Sequence, residues 1–201
     1  MSEPAYHARM RELQDRFDTR RLADRLDERL GRSVLRDEDR AFIESRSLFF
    51  LATADAQGRP DCSYKGGDPG FVRVVGPDEL EFPSYDGNGM FRSLGNVLCN
   101  PAVGLLFIDF ESPRRLRVNG HALLLDDPEA LARHPGAQLV VRVRAERIFP
   151  NCPRYIHRSA GAQLSADVPR PNHELPPVAW KAMPWAADVL PQPPGTAGLT
   201  R

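Results

Sequence analysis

Ser47-Leu-Phe-Phe-Leu-Ala-Thr-Ala-Asp-Ala-Gln-Gly-Arg-Pro-Asp-Cys-Ser-Tyr64 is the stretch that decides the fold class. It opens with a compact apolar run and continues into Ala54-Asp-Ala-Gln-Gly58, so a strand enters a turn at Gly58 and Arg59 to Tyr64 returns beside it. Downstream, Gly70-Phe-Val-Arg-Val-Val75, the turn residues Gly76-Pro-Asp78 and Glu79-Leu-Glu-Phe82 form a hairpin rich in β-branched and aromatic residues. Val103 to Phe110 and Arg115 to Leu125 are two further strands, and Gln138 to Arg144 is the last clear one. These short, regularly spaced strands predict a small antiparallel barrel with α additions.

Helices punctuate this pattern. Met10, Leu13, Phe17, Leu22, Leu26 and Leu30 recur at near-helical spacing, which predicts one amphipathic helix from Arg9 to Leu30, stopped by Gly31. A second short helix begins at Asp37-Glu-Asp39, and both are expected to cover the sheet. Phe91, Leu94 and Leu98 predict a short helix between the hairpin and the next strand, and Asp126-Asp-Pro-Glu129 starts another. Eight of the 19 prolines lie at or beyond Pro169, so the C-terminal tail is extended, with Trp180 and Trp185 expected to pack on something. The domain reading is an N-terminal helical extension over 1–46, a ligand-binding barrel over 47–165 and a proline-rich tail over 166–201.

Composition limits the function classes. Lys plus Arg equal Asp plus Glu at 27 each, so no global field favours nucleic acid or an anionic membrane. Cys62, Cys99 and Cys152 match no zinc spacing and predict reduced thiols in a cytoplasmic protein. The five histidines are scattered, no metal site is expected, and neither a Gly-x-Ser-x-Gly motif nor a carboxylate pair marks a hydrolase.

Three segments can carry chemistry. In Ser63-Tyr-Lys-Gly-Gly-Asp-Pro-Gly70 a strand ends in Lys65, followed by glycines that let backbone amides approach a ligand; Lys65 would hold a phosphate or the electron-rich edge of a ring, or else be a solvated lysine. Asp86 to Asn96 offers Asn88, Arg92, Ser93 and Asn96 around a helix start, which attracts phosphate, or else forms a simple turn and cap. Arg115, Arg117 and Asn119 share one strand face, with guanidinium groups about 7 Å apart that can grip an anion or pair with Asp109 or Glu111; Arg142 and Arg144 repeat the pattern. Cys152, beside a proline in a loop, reads as structural.

Four ordered blocks together resemble the pyridoxamine 5′-phosphate oxidase-like family of FMN-binding split β-barrels: Phe49 to Asp61, Ser63 to Val72, Gly87 to Phe107 and Leu116 to Ala122, with a weaker match at Phe149 to Ile156. The resemblance implies a split β-barrel, mainly β with α additions, built as a six-stranded antiparallel Greek key with N-terminal and peripheral helices. It implies a homodimer with FMN at the interface and a flavin oxidoreductase acting on a small-molecule substrate, without nucleic acid or membrane. The implied cofactor-binding residues are Ser63, Tyr64, Lys65, Gly66, Asn88, Arg92, Ser93, Asn96, Arg117, Asn119 and Arg154. True vitamin B6 oxidases carry a C-terminal signature that joins a tryptophan to an Arg-x-His grouping; the tail holds tryptophans but no convincing copy of that signature, so pyridoxamine phosphate is not the expected substrate. A non-catalytic carrier or sensor, or the same fold using a deazaflavin or haem, is the alternative.

Overall fold

The computed structural model describes residues 5–153, 156–159 and 168–177. In chain order the elements are α1 (Ala8–Arg16), α2 (Arg20–Leu30), α3 (Asp37–Glu44), β1 (Leu48–Ala54), β2 (Pro60–Gly66), β3 (Arg73–Val74) and β4 (Glu79–Tyr85), followed by α4 (Arg92–Cys99), β5 (Ala102–Asp109), β6 (Arg114–Leu125), α5 (Pro128–Ala132) and β7 (Ala137–Asn151). All strand pairings are antiparallel, in one sheet of order β2-β1-β5-β6-β7-β4-β3. The sheet has seven strands where the resemblance implied six, and the hairpin's first arm, expected over 70–75, shortens to the two-residue β3.

Alternation builds the core. Phe49, Leu51 and Thr53 of β1, Val103, Leu105 and Phe107 of β5, and Leu116, Val118 and Ala122 of β6 are buried at every second position. The Phe49 ring meets Phe82 of β4 edge-on at 4.9 Å between centroids, although three strands separate β1 from β4 in the sheet. That contact requires the sheet to roll up on itself, giving a split β-barrel whose open seam runs between β2 and the β4 end. Gly120 marks a bulge in the β6–β7 pairing, where an added Cβ would stand 2.0 Å from the Arg144 carbonyl oxygen. β7 continues to Asn151, well past the predicted end at Arg144, because its later residues still pair with β6.

The N-terminal segment departs from expectation. The single predicted helix is two, broken where Asp18 adopts φ 50°. Neither helix buries a residue, so Met10, Leu13, Phe17, Leu22, Leu26 and Leu30 stay exposed rather than covering the sheet. The covering role falls to α3, which buries Phe42 and Ile43 and is tied down by the ion pair of Arg32 with buried Asp39. In β4, fully buried Glu81 accepts from Arg133 at 3.0 and 3.1 Å and from Arg142 at 2.5 and 2.8 Å. Arg142 and Arg144, expected as a possible anion grip, are thus engaged by Glu81 and by Asp78 at 3.1 Å. No helix among the described residues is long and apolar enough to cross a membrane.

Candidate functional site

The seam is where the chain crosses from β4 to β5, and that crossing lays residues 86–91 and α4 over the edge strand β2. Between them lies an open cleft of about 380 Å³. From β2 come Asp61, Ser63 and Lys65, which share one face because their spacing is two. From β4 come Ser84 and Tyr85, consecutive residues that both reach the cleft because the pairing register shifts between them. Asn88, Arg92 and Ser93 line the opposing side, and Gln138 of β7 closes one end.

Lys65 is the cleft's half-buried cation. Burial pushes its ammonium below the ordinary lysine range, while the Asp61 carboxylate opposes that shift. Among the described residues no hydrogen bond or ion pair holds it. Ser93 Oγ is buried, 2.8 Å from Asp61 Oδ2 and 3.0 Å from Ser63 Oγ. One hydroxyl hydrogen serves one acceptor, so Ser93 donates to the carboxylate and accepts from Ser63. Arg92 is largely exposed, with Nε 3.5 Å from Asp61 Oδ1.

The α4 start is backbone-shaped for an acceptor. Phe91, its N-cap, adopts the left-handed conformation at φ 46° and ψ 28° and supplies no side-chain cap, so the first amides of the helix have no side-chain acceptor there. Asn88 Oδ1 accepts from Met90 N at 3.0 Å, fixing the preceding turn in which Gly89 has φ 73°. Close enough to Tyr85 to act on its phenol, Arg170 donates to Asp68 at 2.5 and 2.7 Å, joining the start of the tail to the β2–β3 connection. Burial and the Asp68 charge raise the Tyr85 phenol above its usual pKa, with Arg170 opposing.

Tyr64 also borders the cleft, with its ring exposed and packed edge-on with Phe50 at 6.1 Å. Several other expected residues lie elsewhere. Gly66 lies beneath the Tyr64 ring, where an added Cβ would crowd it at 2.7 Å. Asn96 donates to Thr53 Oγ1 at 3.0 Å and lines a neighbouring cleft. Arg117 and Asn119 sit on the outward face of β6, separated from β2 by two strands, with the Arg117 guanidinium 5.9 Å from the Phe149 ring centre; they do not line this chain's cleft. Asp109 pairs with Arg46 at 2.6 Å, so the face of Arg115 and Arg117 is not neutralised there. Arg154 and the two tail tryptophans lie outside the described residues. Sequence reading missed Asp61, although its two-residue spacing from Ser63 and Lys65 was visible. It also missed Tyr85 and Gln138, which no local pattern connects to Lys65.

The description "Pyridoxamine 5'-phosphate oxidase" belongs to the family model that matches residues 35–170, well over half the chain. No curated protein matches. Among solved structures the chain is similar to HupZ of Group A Streptococcus, at 21% identity, 63% of this chain, 99% of that one and a TM-score of 0.47. It is also similar to HutZ, the heme storage protein of Vibrio cholerae, at 21% identity, 58% and 94% coverage and a TM-score of 0.44. An FMN-binding protein of Syntrophomonas wolfei is 12% identical over 70% of this chain and 97% of that one, with a TM-score of 0.46. The match over residues 35–170 makes this chain a member of the pyridoxamine 5′-phosphate oxidase family.

Proposed function

We propose that the seam cleft binds a flavin, FMN as the first reading, and that the protein is a flavin-dependent oxidoreductase acting on a small substrate. The observation that carries this is Lys65, a half-buried cation with no partner among the described residues, facing a cleft whose other wall offers Arg92, Ser93 and an uncapped helix start. Desolvating a cation without a partner costs free energy that an anionic ligand recovers. A volume of about 380 Å³ suits a cofactor-sized ligand. Arg92, Ser93 and the first α4 amides would hold the phosphate. Lys65 would face the electron-rich ring edge and stabilise negative charge there. The flavin, when bound, supplies hydride and electron transfer, and the chain's residues bind and orient it.

The reading includes a homodimer with the cofactor at the interface. Exposed Tyr64 beside Phe50, with Arg117 and Asn119 on the same outward face of the sheet, supports it, since a second chain covering that face would bring these groups towards a cleft. The test is the purified chain with and without added FMN. Two visible flavin bands, quenched flavin fluorescence and a dimer by light scattering are expected. A protein that takes up neither FMN nor riboflavin, or that carries a haem Soret band instead, would overturn the proposal. Oxidation of NADH or NADPH by the loaded protein separates an enzyme from a carrier.

A further inference from the structure

The α1–α2 hairpin is built inside out. Its helices, joined only by residues 17–19, turn polar groups toward each other: Arg11 pairs with Asp24 at 2.7 Å, and the Tyr6 hydroxyl donates to the Ala23 carbonyl at 3.1 Å. The apolar side chains point away. Met10, Leu13 and Phe17 along the first helix and its C-cap, and Leu22, Leu26 and Leu30 along the second, are 37–67% exposed. In each helix these residues stand about a quarter turn from the contact side, and the chain reverses direction between the helices, so both stripes fall on one side of the hairpin. That single apolar face, on the order of 600 Å², reaches the upper limit of what a monomer leaves in water.

The hairpin is anchored at the rim of the sheet's outward face. Asp27 of α2 pairs with Arg147, and Arg32 exchanges both backbone hydrogen bonds with Ile148, at 2.7 and 3.1 Å. Arg147 and Phe149 stand opposite Asn119 and Arg117 in the β6–β7 ladder, so they belong to the face that a second chain covers in the homodimer reading. A chain seated there would meet the hairpin next. The hairpin's charges do not suit lipid instead. Seven arginines over residues 8–30 stand against six acidic residues, and pairs such as Arg9–Glu12, Arg20–Asp15 and Arg25–Glu28 neutralise them in place. An anionic membrane surface calls for a basic helix face, which this balance does not supply. The area fits a second copy. In a two-fold dimer the two hairpins and the surfaces they meet would remove about 2,400 Å² from water, the size class of obligate homodimers.

We infer that the α1–α2 hairpin is an arm that clasps a second copy of this chain, burying its apolar face on the partner. This rests on the homodimer reading and extends that interface beyond the sheet. Within one chain neither helix buries a residue, so the leucine and phenylalanine stripes have their use only in the assembly.

The test follows the full chain by light scattering and sedimentation over a micromolar dilution series, unaltered and with Phe17→Ser and Leu26→Ser combined. Neither side chain is buried within one chain, so the double variant should fold, with an unchanged far-ultraviolet circular dichroism spectrum. The unaltered chain is expected to be a dimer, and the double variant to have a dissociation constant at least about 100-fold higher. Phe17→p-benzoylphenylalanine, irradiated in otherwise unaltered protein, should give a covalent product of twice the chain mass. That readout does not depend on how the double variant folds. An unchanged dissociation constant in a folded double variant, or crosslinks confined within one chain, would sink the inference and leave the homodimer standing. Capture of the unaltered chain by vesicles of phosphatidylcholine and phosphatidylglycerol, lost in the double variant, would also overturn it and assign the face to lipid. An unaltered chain that stays monomeric throughout the series would sink both.

Discussion

Replacing Lys65 by methionine should move cofactor affinity and stability of the empty protein in different directions. Methionine keeps the apolar stem and deletes only the ammonium. In the empty protein that ammonium is half-buried, its charged form is disfavoured by burial, and no described residue bonds it. Its removal therefore takes away a desolvation cost without breaking a contact, and the melting temperature should hold or rise. With a flavin bound, the same deletion removes one charge-assisted hydrogen bond, worth about 1.5–3 kcal/mol. At 1.36 kcal/mol per factor of ten, that is roughly 10- to 150-fold weaker binding. Flavin fluorescence titration and thermal melting of the empty protein, run on the same two preparations, supply both numbers. The reasoning is refuted if Lys65→Met lowers the melting temperature by about 4 °C or more, on the order of 1 kcal/mol, while affinity stays within threefold. Lys65 would then be a structural group and the cleft's cation incidental.

Glu81→Gln should destabilise the fold by about 3 kcal/mol, the low end for breaking a buried ion pair, because Arg133 and Arg142 keep partial access to water; the urea midpoint should fall with the m-value unchanged. His134 is buried and its pKa is lowered, by burial first and Arg73 next, against Glu81. The unfolded chain therefore takes up a proton that the folded chain refuses, so stability is full above about pH 6.5 and declines as pH falls through the lowered folded value, at up to about 1.4 kcal/mol per unit. Urea unfolding between pH 7.5 and 5.5 should show that slope, and His134→Gln should flatten it. Gly120→Ala should cost roughly 1–3 kcal/mol, since its Cβ would meet the Arg144 carbonyl oxygen rather than a movable side chain; an unshifted melting temperature would show that the β6–β7 bulge relaxes freely.

Much of the strand content was legible because burial alternates along a strand regardless of what lies next to it. Phe49-Phe-Leu-Ala-Thr53, Val103 to Phe107 and Leu116 to Ala122 show this period directly in the residues. Asp127 capping α5 through Ala130 N at 2.9 Å follows from local chemistry of the same kind. The N-terminal helix was misread as continuous because apolar spacing across 17–22 survives a break at Asp18, and an amphipathic face says nothing about whether a partner covers it.

Within the site, the sequence alone identified Lys65 with Ser63, and Arg92 with Ser93 and Asn88, since each group lies within a few residues of chain and glycines or a helix start mark it. It also showed that Arg117 and Asn119 share a face. It did not show which face, because period-two alternation is blind to the direction in which a sheet rolls. Bringing Asp61, Tyr85 and Gln138 around one cleft required closure of the barrel, with β2 and the end of β4 meeting at the seam only after Phe49 packs on Phe82 across three intervening strands. Local pattern thus determined the elements and the chemistry each one carries. The rolled sheet decided which of them face the same space, because that proximity is set by long-range packing and leaves no periodic trace in the chain.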